Sequence, residues 1–194
     1  MNNINKTNFP IIDLEKFGLE GYILREKNIN DAEDFLRYFG DKEVNRFILC
    51  NIPQNIEESR REVLFWRNVF YSNDGIYFAI ARKDNNQMIG SIGLNNHYSQ
   101  HHRIELSYDL AKEYWRKGVM QSAISAIVDF GFNNLEINRI EAFMAVDNIP
   151  SKNLLLKLNF TLEGILREHR FYQEKYWDVF CFSLLAKDKG NDGL

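Results

Sequence analysis

The stretch from Arg103 to Ser122 gathers the residues best suited to chemistry. Arg103, Glu105, Ser107 and Asp109 alternate with Ile104, Leu106, Tyr108 and Leu110, the period-2 pattern of a strand with one polar and one apolar face. After a short loop, Trp115-Arg116-Lys117-Gly118-Val119-Met120 opens a segment in which Met120, Ala123, Ile124, Ile127 and Phe130 recur at helical spacing. A strand that feeds a tight glycine turn into a helix leaves the first helical N–H groups without partners. Those amides and the helix dipole suit an anion such as a diphosphate. Arg116 and Lys117 add charge at the same point, and Gly118 lets a ligand approach the backbone without meeting a Cβ. Neither GxGxxG nor GxxxxGK[ST] occurs, so the anion must be held by a fold other than a dinucleotide or P-loop domain. The residue types alone also fit a plainer reading, in which Gly118 only starts a helix and the two cations face water.

Other reactive side chains carry weaker signals. His97, His101 and His102 would suit a metal only if all three converged, and their polar surroundings favour surface or acceptor-rim positions. Cys50 and Cys181 lie far apart and outside any CxxC pattern, which favours reduced structural thiols. Phe65, Trp66 and Phe70 fit a helix stripe packed in the core.

The elements that position these residues follow from periodicity. Tyr22 to Arg25 reads as a first strand. Asp31 to Phe39 and Ile56 to Phe70 read as helices, the second burying Val63, Leu64, Trp66 and Phe70. Ile76–Ala81 and Met88–Leu94 flank the turn Asp84-Asn85-Asn86-Gln87 as a hairpin. Helix Gly118–Asn133, strand Ile137–Val146 and helix Pro150–Leu158 follow, with Asn159 suited to the left-handed residue after the last. Phe160–Arg170 and Lys175–Ala186 read as two closing strands. Strands and helices interleave only in the second half, so the sheet is expected to be mixed.

Composition sets the frame. The 194 residues are 45% hydrophobic and 26% charged, with net charge −3, as for one globular domain. A domain of this size buries a sufficient core without metal or disulfide. No basic run marks a nucleic-acid surface, no signal pattern opens the chain, and no stretch approaches the ~20 apolar residues of a membrane span. A cytoplasmic protein without nucleic-acid or membrane partners is expected, as a monomer or homodimer. We expect a lead-in over 1–20, one domain over 21–187 and a tail over 188–194.

Tyr114 to Ala123 resembles the acyl-CoA pyrophosphate loop of the GNAT acetyltransferases, in their RimJ/RimL-like branch. The family pattern is Q/R-x-x-G-x-G/A; Trp115 stands at its first position and Met120 at its last. Arg25-Glu26 with Asn30-Asp31-Ala32 and Asp41-Lys42-Glu43-Val44 resembles the branch's amino-terminal helix region. Asp147 to Phe160 resembles its Asn-x-x-Ser helix, and Glu163 to Glu168 with Trp177 to Leu185 its closing hairpin. The resemblance implies an α+β fold: a mixed, mostly antiparallel seven-stranded sheet, about four flanking helices, and a splayed parallel strand pair at the cofactor site.

It further implies acetyl-CoA as cosubstrate, no metal, and a small-molecule or peptide amine as acceptor. The pantetheine arm would lie between the strands matching Arg103–Leu110 and Ile137–Val146, near Tyr108 and Leu110. The diphosphate would sit on Trp115, Arg116, Lys117, Gly118, Val119 and Met120, with Asn148 and Ser151 beside the cofactor. Glu105 is the candidate base, through water; its plainer alternative is an ion pair with Arg103 or Arg139. Ser151 matches the family serine that could protonate the leaving thiolate, or it serves only the helix's first turn. Asn148 either caps that helix and touches the cofactor or takes part in the chemistry. Asp178 suits a hairpin position as well as an acceptor contact. A non-catalytic CoA-binding module and a protein-binding domain without CoA are the competing functions.

Overall fold

Alternation along the central strand decides how the sheet is covered, because each face of a strand must be matched to a different layer. The computed structural model describes residues 9–190. Its strands are β1 (Ile12–Asp13), β2 (Tyr22–Glu26), β3 (Ile76–Arg82), β4 (Met88–Tyr98), β5 (Arg103–Leu110), β6 (Arg139–Ala145), β7 (Thr161–Tyr172) and β8 (Lys175–Leu185). The helices are α1 (Ala32–Phe39), α2 (Lys42–Asn45), α3 (Ile56–Tyr71), α4 (Val119–Asn134) and α5 (Ile149–Lys157). One sheet runs β1-β2-β3-β4-β5-β6-β8-β7. Only the β5–β6 pair is parallel; the other pairs are antiparallel.

Ile92, Leu94, Ile104 and Leu106 form a core with Ala123, Ile124 and Ile127 of α4. On the opposite face, Ala79 and Met88 pack with Phe35, Tyr38 and Phe39 of α1 and Val63 of α3. Each fully buried large side chain contributes roughly 1.5–3 kcal/mol, so both layers are firmly held. The helices start where the sequence offers a cap. Asn55 accepts from the Glu58 amide at 3.0 Å to open α3, and Asn148 accepts from the Ser151 amide at 3.3 Å to open α5. Asn159 takes φ 61° after α5, and Phe160 N–H bonds back to the Leu155 carbonyl at 3.0 Å, closing that helix.

Several expectations are adjusted. The sheet has eight strands rather than seven, because Ile12 and Asp13 pair with Leu24 and Ile23. The expected lead-in therefore feeds the domain, and Leu14 is fully buried. Residues 1–8 and 191–194, part of the expected lead-in and tail, lie outside the described residues. Asp31, at the expected start of the first helix, precedes α1 and is buried in a pair with Arg25 at 2.7 Å. On α3, Leu64 and Phe65 are exposed, while Trp66 packs at a tilt against Tyr77 with centroids 4.4 Å apart. The buried stripe is centred on Val63 and Phe70, which turns Phe65 outward.

Candidate functional site

β5 and β6 are joined at Arg103–Arg139, Ile104–Ile140 and Glu105–Glu141, and no ladder continues beyond. β5 stays paired with β4 through Leu110 and β6 with β8 through Ala145, so the gap opens between the two central strands. Ala111 N–H donates to the Ile89 carbonyl at 2.8 Å. By the alternation of an antiparallel ladder, the backbone groups of Asp109 then face β4 and those of Tyr108 and Leu110 face the gap. A strand edge with free amide and carbonyl groups lies where an amide-bearing ligand could pair with it.

The gap leads to the start of α4. Gly118 precedes the helix with φ 80° and no side-chain cap, and Arg116 is also left-handed at φ 60°. The first intrahelical bond runs from Ser122 N–H to the Gly118 carbonyl at 3.0 Å, which leaves the amides of residues 119–121 without helical partners. Alternating left-handed residues turn successive N–H groups inward as an anion-binding concavity. A Cβ at Gly118 would meet nothing within 4 Å, so the concavity is open. Lys117 lies over the Tyr114 ring, 5.5 Å from its centroid. Val119 and Met120 bury their side chains in the core, so only their backbone can serve a ligand. Trp115 donates its indole N–H to the Leu110 carbonyl at 2.8 Å. That bond fixes the loop to the end of β5 and takes the Leu110 carbonyl out of the free strand edge.

Two residues approach from α5. Asn148 caps the helix, and Ser151 lies beside Tyr108. The Tyr108 hydroxyl is buried without a hydrogen-bond partner. Burial pushes the phenol up to about 12, with Ser151 close enough to ease the rise. An orphaned buried hydroxyl costs about 1–3 kcal/mol, and a ligand in the gap would relieve it.

Glu105 sits where the strands part. Asn96 donates to its carboxylate at 3.0 Å, and the Arg170 guanidinium lies 3.7 Å away. Neither Arg103 nor Arg139 takes it: both bind Glu141, at 2.5 and 2.8 Å. The ion pair of Glu105 is therefore with Arg170 rather than with Arg103 or Arg139. Asp178 accepts from the Glu168 amide at 2.8 Å and pins the irregular stretch of β7, where Glu168 has φ 52°. The histidines do not assemble: His97 extends β4, His102 bonds the Glu136 carbonyl at 2.7 Å, and no metal-binding group of side chains forms among the described residues. Cys50 and Cys181 are free thiols.

The site's geometry has a counterpart among known proteins. A family model described as the acetyltransferase (GNAT) domain matches residues 22–161. The chain belongs to the GNAT acetyltransferase family. Among its GNAT relatives are the uncharacterised N-acetyltransferases YoaA of Bacillus subtilis (strain 168), 31% identical over 91% of this chain and 97% of that protein, and p20 of Bacillus licheniformis, 30% identical over 90% and 98%. The solved structure of RimL, a ribosomal L7/L12 alpha-N-protein acetyltransferase, shares the fold with TM-score 0.80 at 19% identity, covering 91% of this chain and 94% of that one.

A polar cluster on the other face of β5 escaped the sequence reading. Asp109 accepts from the Tyr38 hydroxyl at 2.6 Å and the Ser91 amide at 3.1 Å, both on Oδ1. Lys27, 1% exposed, donates to Ser91 Oγ at 2.8 Å and lies over the rings of Phe35 and Tyr77 at 5.2 and 4.9 Å. Burial pulls the Lys27 ammonium down to about 8 and pushes the Asp109 carboxyl up. Nothing in the local sequence marks this GNAT chain's cluster, whose members come from four separate elements and the end of β2.

Proposed function

We propose that this protein transfers an acetyl group from acetyl-CoA to a primary amine, on a protein N-terminus or a small molecule, by direct attack. The observation that carries the reading is the parting of β5 and β6 after Glu105, leading to the uncapped start of α4. The strand edge suits the amides of pantetheine, and the residue 116–120 concavity suits the diphosphate, with a dipole contribution of roughly 0.3–2 kcal/mol. The departures at Trp115 and Met120 have structural roles in the loop and core, so they do not favour a non-catalytic module.

In the reaction, the neutral amine nitrogen attacks the thioester carbonyl carbon and a C–N bond forms. A backbone N–H on the free edge of β5 would stabilise the oxyanion; losing one such donor typically costs about 2.7–4 kcal/mol. Glu105 takes the amine proton through water, the C–S bond breaks, and Ser151 supplies a hydrogen bond or proton to the departing thiolate. Freeing an α-amine at pH 7 costs roughly 1–1.5 kcal/mol, against about 4–5 for a lysine amine. An α-amine asks less of the base. RimL, similar in fold, is an alpha-N-protein acetyltransferase, whose acceptor is of the same kind.

The test combines binding and turnover. Acetyl-CoA at about 100 times its Kd should stabilise the protein by roughly 2.7 kcal/mol, and an amine and N-terminal peptide panel should release CoA thiol. An unmoved melting temperature at saturating acetyl-CoA refutes the reading. Binding without thiol release from any amine would point to the CoA-sensing alternative.

A further inference from the structure

The face of β5 away from α4 is partly accessible along its length. Arg103, Glu105, Ser107 and Asp109 all remain partly accessible, although the strand lies at the centre of the sheet. Arg170 of β7 reaches this strip at Glu105, and Tyr38 of α1 reaches it at Asp109. The strip is therefore a trench between the closing hairpin and the α1 layer, on the side opposite the α4 concavity.

Within this trench Asp109 is an unusual floor residue. Its Oδ1 takes both hydrogen bonds, and Oδ2 takes none, with no cation within 4.0 Å among the described residues. The surrounding groups are sealed: Lys27, Tyr38, Tyr77 and Ser91 are 1, 3, 5 and 0% exposed. Asp109 alone in the cluster reaches solvent. Lys27 answers Asp109 only from beneath: its ammonium feels the carboxylate charge across Ser91 but bonds Ser91 Oγ and lies over the two rings, so Oδ2 has no direct cation among the described residues. Glu62 on α3 makes no ion pair among the described residues and adds negative charge nearby.

We infer that Asp109 holds a second cationic group on the acceptor, an ammonium or guanidinium distinct from the amine that is acetylated. The inference rests on the acetyl-transfer reading and assigns its acceptor class. Glu105 and Asp109 share a face four residues apart, about 13 Å at 3.3 Å per residue. With the reacting amine between them, the second charge sits roughly 7–13 Å from the base. A six-carbon diamine fits that span, and so does a peptide with a free N-terminus and an early lysine.

Asp109→Asn tests this cleanly. The asparagine Oδ1 still accepts from Tyr38 and Ser91, and the carboxylate charge is lost. The probes are 1,6-diaminohexane against hexylamine for small acceptors, and Ala-Lys against Ala-norleucine for peptides, read as kcat/KM by thiol release. We expect the wild type to prefer the dication at least tenfold in one of the two pairs, which also names the source of the charge. In Asp109→Asn the ratio should fall to near one, with acetyl-CoA affinity unchanged. Tyr38→Phe, which weakens the anchor and keeps the charge, should retain the preference. Equal rates in the wild type, a preference that survives Asp109→Asn, or its equal loss in Tyr38→Phe overturns the inference. Failure of the wild type to bind acetyl-CoA would instead remove the parent reading, and this one with it.

Discussion

Replacing Gly118 isolates the charge at the heart of the proposed cofactor site. Gly118→Asn and Gly118→Asp place side chains of the same shape at a residue with φ 80° and open space around its would-be Cβ. Asn and Asp tolerate the left-handed region better than other residues, so backbone strain largely cancels between the two variants. What remains is one negative charge beside two phosphates. At about 6 Å, each phosphate charge repels a carboxylate by about 0.7 kcal/mol in bulk water and about 2.8 at an effective dielectric of 20. Two phosphates give about 1.4–5.5 kcal/mol, so Asp should bind CoA at least tenfold more weakly than Asn. Isothermal titration at 50 mM and 500 mM salt reads the difference, which should narrow at the higher value. Asp and Asn variants with affinities within threefold at low salt would refute the placement of a diphosphate on this turn.

Three further outcomes are expected. Lys27 is charged at pH 7 in both states, and its folded value of about 8 lies below the ordinary 10.5. The unfolded chain therefore binds more protons between those values, and wild-type stability should rise with pH across that window by on the order of 3 kcal/mol. Lys27→Met should lose that rise when the two proteins are compared by urea unfolding between pH 8 and 10.5; a rise of the same size in the variant contradicts the reasoning. Glu105→Gln should lower kcat about 10²–10⁴-fold with acetyl-CoA affinity unchanged, and an unaltered kcat would exclude Glu105 as base. Trp115→Phe leaves the Leu110 carbonyl without its indole donor and should cost about 1–3 kcal/mol in chemical denaturation; no loss would mean the bond contributes nothing.

The parts of the fold with strong periodicity were legible because their physics is local. Arg103–Leu110 alternates in sequence and in burial, and its apolar face meets α4 as the pattern requires. The glycine turn into α4 was legible for the same reason. β1 was not: two residues in an Asn-rich segment carry no period, and only pairing with β2 makes them a strand. Phe65 was misread because helical spacing shows which residues share a face without showing which face is buried. Trp115 looked like a defect in a motif until its indole found the Leu110 carbonyl. Asp109 looked like any outward residue of a strand, and its importance depends on Tyr38, 71 positions away, and on Ser91, 18 positions away.

Tyr108 and Asp109 are consecutive residues, yet one turns towards α5 and the other towards α1. A single strand thus has a front door and a back door, and the scissile bond would lie in the wall between them. Two substrates entering this way never compete for space, and each product can leave by the side on which its parent arrived. Such a plan calls for a ternary complex rather than a shuttle through an acylated side chain. Free CoA should then compete with acetyl-CoA alone, and the acetylated product with the amine alone.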